Sequence, residues 1–203
     1  MGRNGDGQML SRKPASSSHS HRDGSHPLTT FAQLLREQLH ICDALEKIAD
    51  DLPDQFDTTQ CMDLAQSIPA VLSLGHLVQD CIVFPALLRQ PASHQFTRQT
   101  ADRLCDEHLT DQGYAFEVCD LLQDLFYNRS TVDMGQAGYL LRGFFESIRR
   151  TVSFELECLL PLALKLLSAN DLNQISEILL DHKVVVTQSS SEPHFMLNNH
   201  RLH

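Results

Sequence analysis

The chain of 203 residues contains no run of about 18 consecutive apolar residues, the length a membrane-spanning helix requires. Residues 1–27 are polar and hold no apolar core of the kind a secretory leader carries, so the expected location is cytoplasmic. None of the cysteines, Cys42, Cys61, Cys81, Cys105, Cys119 and Cys158, belongs to a Cys-x-x-Cys pair. That spacing excludes a zinc knuckle, and scattered single cysteines read as small buried hydrophobes. Basic residues are scarce: 16 Lys and Arg stand against 26 Asp and Glu, for a net charge of −10. So acidic a body lacks the clustered basic face that nucleic acid or an anionic lipid surface needs, and neither partner is expected. Phosphate loops and Ser-His-Asp or Cys-His signatures are missing too, and the chain is not expected to be an enzyme.

What is present is a phrase that occurs twice. Asp80-Cys81-Ile82-Val83-Phe84-Pro85-Ala86-Leu87-Leu88 returns in altered form as Glu155-Leu156-Glu157-Cys158-Leu159-Leu160-Pro161-Leu162-Ala163-Leu164. Each copy follows an apolar-periodic stretch and carries an acid shortly before its proline. A proline inside a helical pattern costs about 3 kcal/mol unless the ladder already gives way there. Two such prolines after acidic turns indicate an internal repeat.

The periodicity predicts four long amphipathic helices. They run from about Thr30 to Asp51 with Thr29 or Thr30 as cap, from Thr58 to about Leu88 with a kink at Pro69, from Ser93 to Tyr127, and from Val132 to Leu167. A shorter fifth helix is expected at Asp171–Asp181, and Val184–Val186 reads as a stretch that could be extended. Short links between long helices predict an all-α fold, an antiparallel up-down four-helix bundle over residues 29–186. Residues 1–28 form a Ser- and His-rich tail expected to be disordered, and residues 187–203 a flexible C-terminal tail. His19, His21, His26, His194, His200 and His203 fall in these tails, where solvation is the simpler reading than metal binding.

The bundle offers His40 from its first helix, His76 and Asp80 from the second, Glu107 and His108 from the third, and Glu155 and Glu157 from the fourth. With the turns at Phe84-Pro85 and Leu160-Pro161 and the dipeptide Glu107-His108, this arrangement resembles the hemerythrin-like, or HHE cation-binding, domain family over residues 30–168. The resemblance implies a four-helix bundle around a non-haem di-iron centre. In that pattern the first and third helices each give a His, and the second and fourth each give a His-x-x-x-Glu pair before the proline turn. It further implies a sensory role or the handling of O2, NO or iron; an unidentified protein partner is the expectation of a metal-free module.

Counting back from Pro85 puts Gly75 and Gln79 where that pair belongs, and from Pro161 it puts Thr151 and Glu155 there. On the first helix the inward position falls to Gln38, and His40 faces away. His108 and Glu155 are then the surviving ligands. A slip of one residue near Pro69 would add His76 and Asp80, and the four would hold a single ion, iron or zinc, rather than two irons. Three other readings compete. A metal-free interaction module would bond Gln38 and Gln79 to each other or to Glu155. A phosphotransfer bundle would expose His76. A ferritin-like oxidase would have to use Glu37 and His40.

Overall fold

The computed structural model of the chain describes residues 26–90 and 96–189, with side chains described as far as Asp181. All regular elements among the described residues are helical. The predicted tails lie outside the described residues except at their inner ends.

Helix α1 spans Pro27–Asp51. Pro27 suits the first turn, where its missing N–H has no intrahelical partner to lose. The cap is His26, whose Nδ1 accepts from the Leu28 N–H at 3.3 Å, so Thr29 and Thr30 lie inside the helix rather than capping it. Helix α2 spans Thr58–Val78 and starts at Asp57, whose carboxylate accepts from the Thr59 and Gln60 N–H groups. Pro69 lies within α2 and does not end it. A π turn at Gln79–Val83 follows and runs straight into α3, Phe84–Leu88.

Helix α4 spans Arg98–Tyr127, capped by the Thr97 hydroxyl; the expected start at Ser93 falls outside the described residues. A single 3-10 turn at Arg129–Thr131 leads to α5, Met134–Phe154. Then comes a second π turn, Glu155–Leu159, and α6, Leu160–Leu166. Helix α7, Ala169–Ser189, is longer than the expected fifth helix. Residues 184–186 are helical, not extended, and the helix runs past residue 187, where the flexible tail was expected to begin.

The two π turns are the structural form of the doubled phrase. Gln79 opens one and Pro85 follows six residues later; Glu155 opens the other and Pro161 follows at the same interval. A proline ring strikes the carbonyl four residues back in a regular helix. The extra residue of a π turn shifts that carbonyl and lets the chain continue.

Helix α1 packs along α5 and α2, α2 along α4, and α4 along α5, while α7 leans on α1 and α2. The core these contacts enclose includes Phe31, Leu35, Leu45, Ile48, Ile68, Leu104, Leu122, Leu125 and Phe144, all fully buried. Each contributes about 1.5–3 kcal/mol through apolar area removed from water. Thr58–Leu88 is long enough to cross a membrane and contains an 18-residue window apolar enough to do so, with a mean hydropathy of 1.7. More than half of it is buried against the other helices, the placement of a core helix.

Charge fixes the register of α1 on α5. Arg149 reaches Asp43 Oδ1 and Glu46 Oε2, both at 2.6 Å, and its guanidinium lies 5.0 Å from the Phe145 ring centroid. Arg142 adds a contact to Asp50 at 2.8 Å. Arg149→Ala is expected to lower stability by about 1–2 kcal/mol, because a half-buried fork with two carboxylates exceeds an isolated surface pair. Urea unfolding at low and high salt checks this, and an unchanged midpoint at low salt would mean the fork does not hold α1 to α5.

Candidate functional site

Helices α1, α2 and α4 and both π turns place polar side chains in the apolar interior. Gln38 on α1, His76 on α2, Gln79 at the first π turn, His108 and Asp111 on α4, and Glu155 at the second π turn are all buried. His40 is exposed, as expected from the face of α1, and so is Glu37. A ferritin-like pair is therefore absent. His76 is only 4% exposed, which also removes the phosphotransfer reading with its exposed histidine.

His108 is the centre of the cluster. Its Nδ1 meets Asp80 Oδ1 at 2.8 Å, and its Nε2 lies 3.7 Å from Glu155 Oε1. The second contact is electrostatic rather than a hydrogen bond. Burial works to lower the His108 pKa, but the bond to Asp80 and the charges of Asp80 and Glu155 hold it up at about 9. The His76 ring stacks on the His108 ring, with centroids 4.0 Å apart and planes 9° from parallel. Gln112 Nε2 lies 3.4 Å from His76 Nδ1 and serves as its donor. Burial, with the neighbouring His108 charge, drives the His76 pKa down to about 3, so its ring stays neutral. Asp111, held by the Ser147 hydroxyl at 3.4 Å, is pushed up to about 6 by burial.

The helix geometry explains how these groups meet. Gly75 faces α1: a Cβ there would sit 2.5 Å from Gln38 Nε2, so glycine is what admits the Gln38 amide. Gln79 is fully buried, and the register set by Pro85 therefore holds. His76 and Asp80 join without a slip near Pro69; the irregular turn lies at Gln79–Val83 instead. They are on the side of α2 that packs against α4, which the pairing of His76 with Gln112 and of Asp80 with His108 makes plain.

Six buried side-chain atoms have no hydrogen-bonding partner among the described residues: Gln38 Nε2, Gln79 Nε2, Gln79 Oε1, His108 Nε2, Asp111 Oδ2 and Glu155 Oε2. Each such group costs about 1–3 kcal/mol unless something satisfies it. The amide bonds expected for Gln38 and Gln79 in a metal-free centre are therefore not made by these atoms.

The predicted ligands divide by role. His108 Nε2 and Glu155 Oε1 can be spanned by two metal bonds of about 2.1 Å each meeting at an open angle. Asp80 bonds the far nitrogen of His108, the arrangement in which a carboxylate orients a ligating histidine and raises its basicity. His76 cannot share an ion with His108 in this geometry, because the lone pairs of near-parallel rings lie in planes that do not converge at bonding distance. Among the described residues no group of three or more His, Cys, Asp or Glu is spaced to hold a metal ion. With Gln38, Gly75, Gln79 and Thr151 in the places where the resemblance asks for ligands, the residues present do not fit a two-iron centre.

Asp111 was missed by sequence reading, though the signal was there. It follows His108 by three residues on the buried face formed by Ala101, Leu104, His108, Ala115 and Val118. Exposed neighbours on the same charged helix hid it. No family model, curated protein or solved structure matches the chain.

Proposed function

We propose that this chain is a hemerythrin-like protein whose two-iron centre has been reduced to a single divalent-cation site. In this reading α1, α2 with α3, α4, and α5 with α6 make an antiparallel up-down four-helix bundle, and α7 lies against it. The observation that carries the reading is the pair of equivalent π turns, each opening on a buried group, Gln79 and Glu155. Single-turn π segments inside helices gather at functional sites. His108 Nε2 and Glu155 hold the ion, iron in the first instance, Asp80 orients His108, and His76 walls it by stacking. A divalent ion would take the place of the proton on His108 Nε2, beside Glu155. With few protein ligands and no acid-base pair beyond them, the site suits a sensory or regulatory module acting through a protein partner in the cytoplasm, rather than a catalyst.

A second reading has its own support in the parallel histidine stack, which leaves His76 unable to ligate: the centre carries buried water and no metal. One experiment separates the two. The full chain, His108→Ala and Glu155→Gln are loaded anaerobically with ferrous iron, desalted and assayed by elemental mass spectrometry. Any iron held by the tail histidines is common to all three. The reading expects about one more ion per chain in the parent than in either variant. Equal metal content in the three proteins would sink it and leave the water-filled bundle.

A further inference from the structure

A cleft of about 370 Å3 opens to solvent between α4 and α5. That size is in the range of small-molecule sites. Its lining carries Arg103 and Glu107 from α4 and Arg150 from α5, a net positive charge on a chain of net charge −10. Arg150 has no carboxylate partner among the described residues, in contrast to Arg149 beside it, which holds two. Arg103 is only 3.5 Å from Glu107 in an exposed pair one helical turn apart, an interaction of little strength. Behind the rim stand Leu104 and Phe154, which give the cleft an apolar wall.

We propose that the α4–α5 cleft binds a small organic monocarboxylate, its carboxylate between Arg103 and Arg150 and its apolar body against Leu104 and Phe154. Guanidinium groups take a carboxylate through paired, charge-assisted hydrogen bonds, and one from each helix would hold it across the seam. An apolar wall selects against inorganic phosphate, whose whole surface is charged. The cleft also backs onto the buried cluster: Leu104 is one turn before His108, Thr151 one turn before Glu155, and Ser147 holds Asp111. Occupancy on the surface can therefore reach the interior through a single layer of side chains. This inference uses other residues than the ion site and stands independently of it.

The test is calorimetric titration of the full chain with benzoate and hexanoate, alongside benzamide and inorganic phosphate. At least one carboxylate should bind with one site per chain, with benzamide and phosphate about tenfold weaker or more. Arg150→Gln and Arg103→Gln should each weaken the carboxylate about tenfold; both side chains are exposed, so the fold, checked by circular dichroism, should be kept. The proposal is overturned if neither carboxylate saturates, if benzamide or phosphate binds as well, or if neither arginine variant changes the affinity.

Discussion

Raising the pH from 6.5 to 9 should remove about 3 kcal/mol of stability from the metal-free chain, and His108→Gln should abolish that loss. The sign follows from where the proton is held. Folded His108 keeps its proton up to about pH 9, because Asp80 bonds Nδ1 and Glu155 faces Nε2, whereas the unfolded side chain releases it near 6.5. Between those values the folded state binds more protons, so its advantage is complete below 6.5 and gone above 9. The thiols Cys42, Cys61, Cys105 and Cys119, all pushed above their ordinary 9.0, begin to add a loss of the same sign only at the top of this window, where the unfolded thiols start to ionise.

The acid side has the opposite origin. His76 stays neutral in the fold down to about pH 3, so from 6.5 downward the unfolded chain gains a proton that the folded chain refuses. Stability falls with pH over that range. Asp111, with its carboxyl raised to about 6, works against this, because the folded state takes up its proton first. His76→Gln removes the unfavourable contribution and leaves the favourable one, and should gain about 3 kcal/mol on the parent at pH 4 relative to pH 6.5. Urea unfolding in the presence of EDTA across pH 4 to 9 checks both limbs. An alkaline slope that survives in His108→Gln would mean that the proton resides elsewhere in the cluster.

How the cluster came to be partly legible follows from what each residue signals. The prolines at 85 and 161 were visible because proline restricts the backbone wherever it stands, and the repeat they mark proved to be a repeat of π turns. The turns themselves carry no residue signature, since a widened ladder is a response to the following ring and not a propensity. His76 entered the site only through a slip of one residue, because a single inward face was assumed for α2. That helix touches α1, α4 and α7, so several sides are buried and one face underestimates its interior. Gln38 and Gly75 were correctly put inside by periodicity, but their direct apposition needed the three-dimensional pairing of α1 with α2. His108 and Glu155 were found through the proline register and the dipeptide beside them. Asp111 was lost because a buried acid on a charged helix has the sequence pattern of an exposed one.

Restoring an acid at the first π turn should produce opposite effects on stability and on metal affinity. Gln79 and Glu155 hold equivalent positions, six residues before Pro85 and Pro161, and both are buried. Gln79→Glu would bring a second carboxylate to an interior that already holds Glu155 and Asp111. With no ion present, the added charge has no cationic partner of its own, since the His108 charge already faces Asp80 and Glu155. The metal-free variant should therefore lose about 3 kcal/mol near neutral pH. With a divalent ion the same carboxylate becomes an anionic ligand in place of a neutral amide, and zinc or ferrous affinity should rise about tenfold or more. Urea unfolding in EDTA reads the first effect and metal titration of the parent and variant reads the second. Destabilisation with no gain in affinity would mean that the two π turns do not face a common point, and the single-ion site would then rest on His108 and Glu155 alone. A gain in affinity would show that the amide at position 79 is what separates this centre from one able to hold metal tightly.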